Sequence, residues 1–533
     1  MSARKAGGWT IVLTSDRGSF SEYSRSVPLG YFACMPAHVV PRLFMDRLFT
    51  PPVETAPDGE ATVAPYALRK VEGALHAAGL TSVACVPPEH LPAVVGPSTR
   101  ILGVTAHDPY GFSPVSTKLT MLFGGGPAWN ARFFTEFGAL VQRLKERHPL
   151  TVIAGGPGIW QMSYRVPEWV DTVFQGEAEV DFPILCRTVL AGETPPPFVT
   201  GRSAKLEEIP RILKRSRFGE VQVTRGCPRG CEFCSITPEK YRTIPLEEIK
   251  AEIAVNMAAG ESMVDLITDD ILLYGASKLR ANHEAVVRLY TEVAKMGATT
   301  INFDHVSAPA VRESPQTVLA MGEIGEYDKH PGQSPVVGME TGSERIFHKY
   351  MPAKSFPWKA ADWWDVILSA TTTMNQANIW PCYTMTIGFP DETDADVDRS
   401  IGLVQAIIDQ DLKAWIFPLP VIPISTTRLK GNPMPELERL PDRYWDLLAL
   451  AWKRDLALAR VLTPTVTARM TNPIARRLVT LLTNRMTRRI EKVFEELQRT
   501  RGRKSRDYES VDLDNPVGIA RSVLYMARIS VAG

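Results

Sequence analysis

The sequence predicts an α/β protein with an N-terminal doubly wound, Rossmann-like domain, a central partial (β/α)6 barrel and a C-terminal helical domain. Short β-branched runs alternate with amphipathic helical stretches over most of the chain, and glycines and prolines follow the strand ends. Strand signals stop near residue 430. Because 533 residues are too many for one core, we place the domains at residues 1–205, 206–430 and 431–533.

The first domain is predicted from four short apolar runs that end in glycine or proline. The candidate strands are residues 9–15, 101–106, 151–156 and 171–176. Between two of them, apolar residues recur at helical spacing, at Phe133, Phe137, Leu140 and Leu144. This pattern indicates a parallel sheet whose ligand crevice lies at the strand ends. The Pro-rich stretch 192–202 predicts a linker.

The second domain repeats the alternation with a longer period. The candidate strands are residues 221–225, 263–268, 300–306, 334–340, 380–389 and 414–422, and helices are expected within 244–259, 276–296 and 392–408. Six βα units favour an open or closed barrel, with its chemistry at the C-terminal strand ends.

Overall charge is nearly balanced, with 60 Lys plus Arg against 59 Asp plus Glu, so nothing global indicates nucleic acid or an anionic membrane. No segment reaches about 18 uninterrupted apolar residues, which predicts a soluble, cytoplasmic protein. The charge is locally unbalanced between Arg460 and Arg506, a stretch with 13 basic and 3 acidic residues. This tail is either a solvated helical face or a contact surface for lipid, nucleic acid or an acidic peptide.

Three of the seven cysteines lie within one short stretch, as Cys227, Cys231 and Cys234 in the spacing CxxxCxxC. The other four are scattered, so a disulfide framework is not expected. Structural zinc sites usually use two CxxC knuckles, and no second pair exists. Three thiolates on one loop suit an iron–sulfur cube with one iron left for another ligand. A coincidental trio, or a zinc loop completed by a distant histidine, is the alternative.

The trio, with Phe233 before its last cysteine and a six-unit βα barrel after it, resembles the signature of the radical S-adenosylmethionine (SAM) enzymes. The strings "AGGPG" and "FQGEAE" resemble the cobalamin-binding module of one large subgroup, and "GMETGSERI" and "IGFPDET" resemble its later barrel motifs. The resemblance covers roughly residues 1–425. It implies a [4Fe-4S] cluster, cobalamin and SAM as cofactors. Cofactor contacts are then expected at Asp108, Gly155, Gly156, Pro157, Gly176 and Glu177.

Most members with this pairing of domains move a methyl group from SAM to cobalt and then to carbon or phosphorus. The cobalt-binding string D-x-H-x-x-G is absent, and His107 stands in the wrong order in "AHDPYG". The stretch "APYALRKVEGAL" resembles the tryptophan 2-C-methyltransferases of thiostrepton-type biosynthesis, in which an arginine lies beneath cobalt. That resemblance implies the same role for Arg69, since a guanidinium cannot ligate a metal. The alternative for Arg69 is a salt bridge.

In the same enzymes a glutamate ligates the fourth iron, and Asp269 occupies the matching position here. Because aspartate is one methylene shorter, Asp269 either ligates the cluster or binds the ammonium of SAM. Glu340 and Thr341, at the end of a predicted barrel strand, are expected to meet SAM, although Glu340 could instead serve as an acid near a helix N-terminus.

Other residues predicted near strand ends are Asp304, His305 and Tyr383, which are candidate proton or substrate contacts. Four tryptophans cluster around one helix and the next strand, at Trp358, Trp363, Trp364 and Trp380. We expect them to pack that helix on the barrel rather than to form an aromatic substrate site.

The sequence therefore predicts a cobalamin-dependent methyltransferase acting on a small aromatic substrate, with C2 of tryptophan as the first candidate. A reaction through a 5′-deoxyadenosyl radical on another molecule or peptide is the alternative, and a peptide-binding maturase or carrier is a third. A methylthiotransferase would need a second cluster, and Cys34, Cys85 and Cys186 are too widely spread for one. A small molecule is the expected partner, a protein reductant is left open, and nucleic acid is not expected.

Overall fold

The computed structural model describes residues 8–123, 125–236, 239–329, 333–433, 436, 440–468, 487–488, 490–492 and 494–502. Its first sheet has six parallel strands in the order β2-β1-β3-β4-β5-β6. The strands are β1 (Ile11–Ser15), β2 (Val83–Cys85), β3 (Ile101–Thr105), β4 (Thr151–Gly155), β5 (Thr172–Gly176) and β6 (Phe198–Gly201). The strand order reverses between β1 and β3, which makes the C-terminal ends of these strands the expected ligand crevice.

Both faces of this sheet are buried under helices. The helices are α1 (Arg17–Phe20), α2 (Val27–Gly30), α3 (Arg42–Phe44), α4 (Tyr66–Ala77), α5 (Leu91–Val94), α6 (Pro114–Leu122), α7 (Trp129–Lys145) and α8 (Asp181–Leu190). Val12 and Leu102 face one core, whereas Ile11 and Ile101 face the other. This alternation explains why the strands are nearly continuous apolar runs.

The four strands predicted in this domain are confirmed, and two further strands were missed. The predicted linker 192–202 is wrong in part, because Phe198–Gly201 forms the edge strand β6 and pairs in parallel with β5. An edge strand tolerates the three prolines that precede it, since only one of its sides donates to a neighbour. Strand β2 has three residues, too few to show a period.

The second domain is an open barrel of parallel strands. Its strands are β7 (Glu220–Gln222), β8 (Thr224–Arg225), β9 (Arg242–Thr243), β10 (Met263–Ile267), β11 (Thr300–Phe303), β12 (Val336–Glu340), β13 (Cys382–Ile387) and β14 (Trp415–Pro420). Two three-stranded sheets, β7-β10-β11 and β12-β13-β14, are joined by a parallel bridge between His305 and Val336. The six predicted strand positions and the partial (β/α)6 architecture are confirmed.

The first predicted barrel strand, 221–225, is broken in two. Strand β7 stays in the barrel, and β8 turns aside to pair antiparallel with β9. The barrel helices are α9 (Leu246–Ala258), α10 (His283–Lys295), α11 (Ala308–Glu313), α12 (Pro315–Ile324), α13 (Glu344–Tyr350), α14 (Trp363–Gln376) and α15 (Asp394–Asp409). Their inner faces and the strands form the largest hydrophobic core of the described chain.

The N-terminal domain closes the open side of the barrel. On the β7 edge, the backbone N–H of Gln222 donates to the Tyr66 hydroxyl at 3.1 Å. On the β14 edge, the Lys118 Nζ lies 3.6 Å from the centroid of the Phe417 ring. Since the first domain contacts both edge strands, it covers the gap that six strands leave.

Helix α16 (Tyr444–Ala468) packs along β14 and α15. It lies in the region where the sequence predicted helices. Most of the basic stretch from Arg460 to Arg506 lies outside the described residues. Among the helices that the structure describes, none combines the length and apolar character needed to span a bilayer.

Lys118 is buried where α6, β14 and α16 meet, and its Nζ has no hydrogen-bond partner among the described residues. Burial lowers the pKa of Lys118 to about 7, while Asp455 and then Cys382 raise it. We expect Lys118→Met to raise the free energy of unfolding by about 1–3 kcal/mol at pH 7, because burial disfavours the charged form of Lys118 and an apolar chain of similar volume does not carry that cost.

Unfolded lysine titrates near 10.5, so between pH 7 and that value the unfolded chain binds the additional proton. The unfavourable contribution of Lys118 therefore decreases as the pH rises through this window, and the advantage of Lys118→Met shrinks. Denaturant unfolding at pH 7 and pH 9.5 measures both effects, with the exposed Lys295→Met as the matched control. A variant that is less stable than the wild type at pH 7 would contradict the prediction.

Candidate active site

The three cysteines lie on an irregular loop that leaves β8 at Arg225. Gly226 starts this loop with a φ of +82°, and a Cβ there would lie 2.8 Å from the carbonyl oxygens of Glu239 and Lys240. Both conditions require glycine. The loop therefore begins in a fixed direction, pressed against the chain that leads into β9.

The loop brings the cysteine side chains close enough to act on one another. Cys231 is buried, and Cys227 and Cys234 are partly exposed. Burial raises the pKa of the Cys231 thiol to about 11; Lys354 opposes this, whereas Cys234, Glu340 and Cys227 add to it. Burial also raises the pKa of Cys227. Such thiols form thiolates when a metal centre binds them.

None of the seven cysteines, all of which are described, forms a disulfide. Within the described ranges, no group of three or more His, Cys, Asp and Glu side chains is placed to hold a single metal ion. In an iron–sulfur cube each cysteine binds a different iron, and the ligands are spaced more widely than those of one ion. Three thiols on one loop supply the donor type that such a cluster needs, and its ligation stays a prediction.

Contacts with the chain after α13 fix the cysteine loop. The Arg229 guanidinium donates to the carbonyl oxygen of Lys354 at 2.9 Å and to Ser307 Oγ at 2.8 Å. The backbone N–H of Glu232 donates to the carbonyl oxygen of Tyr350 at 2.9 Å. Phe233, expected to shield a cluster, packs edge to face on Phe389 with the ring centroids 5.7 Å apart.

Asp269 lies beside the start of this loop. Its carboxylate accepts a hydrogen bond from the backbone N–H of Gly226, and its own N–H donates to Thr224 Oγ1 at 3.3 Å. Burial raises the pKa of Asp269, and the charge of His305 opposes the shift. The structure thus brings Asp269 next to the cysteine loop, and ligation of an iron stays a prediction.

Asp304 and His305 follow β11 and lie beside Asp269. Asp304 Oδ1 accepts the N–H of Thr268 at 2.8 Å, and its Oδ2 lies 3.3 Å from His305 Nδ1. Burial lowers the pKa of His305, but the hydrogen bond and charge of Asp304, then Asp269, raise it overall. The His305 side chain is nevertheless 46% accessible, so it lines a space enclosed by protein.

Glu340 ends β12 in the left-handed region, with a φ of +62°. Its Oε1 accepts from Lys354 Nζ at 3.0 Å, and its Oε2 accepts from Thr386 Oγ1 at 2.6 Å. Trp363 Nε1 donates to the carbonyl oxygens of Met339 and Thr341, both at 3.1 Å. The strand end is therefore held by side chains from three other elements.

The side chain of Thr341 does not face the space that His305 lines. It is fully buried, and its Oγ1 accepts the backbone N–H of Ser343 at 3.0 Å and lies 3.3 Å from Ser400 Oγ. The side chain of Thr341 therefore has a structural role at the strand end, and a contact of this residue with SAM stays a prediction.

The prediction that Tyr383 contacts a proton or substrate is wrong. Tyr383 is 0% exposed, and its hydroxyl lies 2.7 Å from Thr371 Oγ1 in α14. Successive side chains of a strand point to opposite faces, so Tyr383 faces the outer helix whereas Thr384 and Thr386 face inward. Because side chains alternate along a strand, a prediction that is wrong by one position assigns the residue to the opposite face of the sheet.

In the N-terminal domain, hydrogen bonds from neighbouring side chains and one backbone N–H occupy the carboxylate oxygens of Asp108. It is 2% exposed, and its oxygens accept from Ser113, Ser116 and Gln161 at 2.5–2.9 Å. The expected cofactor contact at Asp108 is thus corrected to a structural role before α6. A buried carboxylate with these donors has little capacity left for a ligand.

The glycine-rich ends of β4 and β5 remain accessible. Gly156, Pro157 and Gly176 are exposed, and Gly155 is half-buried. A Cβ at Gly156, whose φ is +99°, would lie 2.3 Å from Thr105 Oγ1. The close packing of the ends of β3 and β4 therefore requires glycine at this position. The exposed glycines and proline leave this edge of the crevice open.

Glu177 connects the first domain to the residues that flank the cysteine loop. Its Oε2 accepts from Arg225 Nη1 at 2.7 Å and from the N–H of Ala204 at 3.1 Å, and its Oε1 accepts from Arg242 Nη2 at 2.5 Å. Burial opposes ionisation of Glu177, but Arg242 and Arg225 outweigh it and lower its pKa to about 2. A contact of Glu177 with a cofactor stays a prediction.

Arg69 is enclosed at the junction of the domains. It is 0% exposed and donates to Glu72 Oε2 at 2.9 Å, to the carbonyl oxygen of Ala61 at 2.9 Å and to that of Arg215 at 3.1 Å. These contacts match the salt-bridge alternative. A role beneath cobalt stays a prediction, and Arg69 is not among the residues that the structure gathers around Asp269.

Three residues that the sequence did not single out as site residues also face the junction. His107, at the end of β3, is accessible to water and yet burial lowers its pKa, so it lines a space surrounded by protein. Arg217 from the barrel lies 5.5 Å from the centroid of the Tyr23 ring, and its charge also lowers the pKa of His107. The strand ends of the first sheet thus face the barrel.

The tryptophan prediction is confirmed as packing. Trp364 Nε1 donates to the carbonyl oxygen of Gly342 at 2.9 Å, and Trp358 Nε1 donates to that of Pro309 at 3.2 Å. Lys354 and Arg229, which hold the strand end and the cysteine loop, were missed. Arg229 had one signal in the sequence, since it lies inside the CxxxCxxC spacing.

Residues 221–404 match the family model described as the radical SAM superfamily. The ribosomal protein uS12 methylthiotransferase RimO of Moorella thermoacetica is 30% identical over 123 residues, 22% of this chain and 24% of that protein. The tRNA-2-methylthio-N(6)-dimethylallyladenosine synthase of Alteromonas mediterranea is 22% identical over 283 residues, 50% of each protein. The chain thus spans half or less of these curated relatives.

Among solved structures, the radical S-adenosylmethionine methyltransferase TsrM from Kitasatospora setae, with tryptophan substrate and the SAM analog aza-SAM bound, matches with a TM-score of 0.50 at 13% identity. The match covers 78% of this chain and 75% of TsrM. At this identity the likeness concerns the fold. Residues 221–404 are therefore similar to the radical SAM domain, and the chain shares, over most of its length, the α/β fold of that methyltransferase.

Proposed function

We propose that this protein is a methyltransferase that uses a [4Fe-4S] cluster, cobalamin and SAM to methylate carbon of a small substrate, with C2 of tryptophan as the first candidate. One observation carries the proposal. The cysteine loop opens a barrel whose open side is covered by the N-terminal domain, so the loop and the crevice of the first sheet belong to one junction. Domain boundaries at residues 205 and 430 are part of the proposal.

Each site residue has a proposed task. Cys227, Cys231 and Cys234 hold three irons, and Asp269 either ligates the fourth or binds the ammonium group of SAM. Glu340 orients the amino acid or ribose end of SAM. The accessible backbone at Gly156 and Gly176 lets a large planar ligand approach the strand ends closely.

When bound, cobalamin would supply a cobalt that accepts a methyl group and passes it on. An electron-rich indole carbon gains the methyl group more readily if its ring N–H is relieved of a proton. Asp304 and His305, paired at a strand end, can accept that proton. The carboxylate also keeps the imidazole oriented.

The partners proposed are a small molecule and, for activation of the cluster or cobalt, a protein reductant. Reduced thiols and a cluster agree with a cytoplasmic location. Nucleic acid is not proposed, although some of the curated relatives are named as tRNA-modifying enzymes.

A methylthiotransferase is the second candidate, because the sequence relatives carry that name. It would need further cysteines for a second cluster. Cys85 and Cys186 are buried in the core between the first sheet and its helices, and Cys34 lies apart near Asn130. The cysteines therefore favour methyl transfer over insertion of sulfur.

The test is anaerobic reconstitution with iron, sulfide and cobalamin, followed by incubation with methyl-labelled SAM and tryptophan. Mass spectrometry should find the label on tryptophan. S-adenosylhomocysteine as the sole co-product indicates polar transfer, and 5′-deoxyadenosine in step with product indicates the radical alternative. If the protein retains no cobalamin and moves no label to tryptophan or to a panel of related indoles, the proposal fails.

A further inference from the structure

A histidine lies where the strand order of the first sheet reverses, between β1 and β3. Asp16 directly follows β1, and His107 comes two residues after the end of β3. Ligands of doubly wound sheets bind at such a reversal, beside the carboxyl ends of the strands. Asp16 is 3% exposed, and its carboxylate accepts from the N–H of Ser19 at 3.1 Å and from Ser19 Oγ at 2.7 Å. His107 is exposed, so of these two side chains it is the one that a ligand can reach.

The backbone that carries His107 is fixed on both sides. Before it, the carbonyl oxygen of Ala106 accepts the N–H of Gly158 at 2.8 Å. After it, Asp108 Oδ1 accepts from Gln161 Nε2 at 2.7 Å. The loop after β4 packs directly on this turn, since a Cβ at Gly158 would collide with the carbonyl group of His107. The imidazole is therefore held at a defined place on the edge of the crevice.

The ring of His107 is available to a metal. Among the residues that the structure describes, its two nitrogens have no hydrogen-bond partner. Gly156 and Pro157, at the end of the neighbouring strand β4, are also exposed, so the space beside the ring stays open. A neutral imidazole carries a nitrogen lone pair and is a common metal ligand. Arg69, by contrast, is 0% exposed and presents no surface to a ligand.

We infer that His107 binds the cobalt of cobalamin from the side of the first sheet. One imidazole nitrogen donates its lone pair to cobalt, and the nucleotide base of the cofactor or a water molecule leaves that position. The opposite face of the corrin is then left for the barrel side of the junction. The string D-x-H-x-x-G is absent, and the histidine comes instead from the end of β3. The inference rests on the proposed function, since it requires that the protein binds cobalamin.

The experiment uses the full-length protein with nitrogen-15 in its histidines, loaded anaerobically with unlabelled cobalamin. The readout is the electron paramagnetic resonance spectrum of the cobalt(II) form. An axial nitrogen splits each line of this spectrum, into a doublet for nitrogen-15 and into a triplet for nitrogen-14. The wild type should show the doublet, and His107→Ala should lose it. The exposed His348→Ala is the matched control and should keep the doublet.

Retention of cobalamin separates the two levels of failure. A wild-type protein that retains no cobalamin overturns the proposed function and this inference with it. Bound cobalamin with a triplet, or with no nitrogen splitting, overturns the inference alone, because the axial nitrogen is then the cofactor's own or is absent. A doublet that persists in His107→Ala also overturns it. If His107→Ala retains no cobalamin, His305→Ala decides, since His305 is accessible at the same junction. A doublet in that variant supports His107, and its loss overturns the inference.

Discussion

Replacing any one of Cys227, Cys231 and Cys234 with alanine should remove the cluster and abolish turnover. The three side chains lie on one loop that is fixed at Gly226, Arg229 and Glu232, so no other cysteine of the chain can move into a vacated position. Iron content should fall from about four atoms per chain to near zero, with loss of the visible absorbance of the cluster.

Cys186→Ala is the control for this series. Cys186 is a buried thiol of α8 in the outer core of the first domain, remote in sequence from the loop. This variant should keep its iron and its activity and lose only some stability, because a small buried side chain is shortened. A single loop variant with wild-type iron content would show that the loop is not the cluster site.

Replacing Glu177 with glutamine should destabilise the protein by about 3–5 kcal/mol, because it leaves the buried Arg242 without its carboxylate, while Arg225 keeps only its ion pair with Glu179. Arg225 and Arg242 are 11% and 6% exposed, and Arg225 immediately precedes the cysteine loop. We therefore expect a lower midpoint of chemical unfolding and faster cleavage of the connection between the first two domains by added protease.

The contribution of Glu177 to the free energy of unfolding should decrease as the pH falls. The folded-state pKa of Glu177, about 2, lies below its usual value of 4.5, so its contribution is present above pH 4.5 and is lost as the pH falls towards 2. The difference between wild type and Glu177→Gln should shrink over that window. Glu208→Gln, which breaks an exposed pair with Arg202, is the control and should leave the unfolding midpoint unchanged. Equal effects of the two variants would contradict the role of Glu177.

The sequence was most informative where a local pattern has one structural outcome. The alternation of strands and helices predicted both α/β domains, because periods of two and 3.6 residues are properties of the backbone. The spacing of the three cysteines predicted a shared ligand, since the loop between them is too short to separate them. Strand β2 and the edge strand β6 were missed because short strands carry little periodic signal.

Roles that depend on side-chain direction were predicted less well. Tyr383 was expected near the C-terminal end of its strand, but it is the second residue of β13, and its hydroxyl faces α14 because the strand period turns it outward. Asp108 and Glu177 have the residue types that bind cofactors, but donors from distant parts of the chain already occupy their oxygens. Residue type states what a group can bind and does not reveal what surrounds it.

By itself, the sequence determined the fold class, the order of its domains and the cysteine loop, since each follows from residues that are neighbours along the chain. Only the tertiary structure decided that Glu177 meets Arg242 across 65 positions and that Lys354 pairs with Glu340. Those contacts arise when the first sheet closes the open side of the barrel and when the chain after α13 folds back on the loop. Packing of distant segments, which no local pattern encodes, sets the charges around the site.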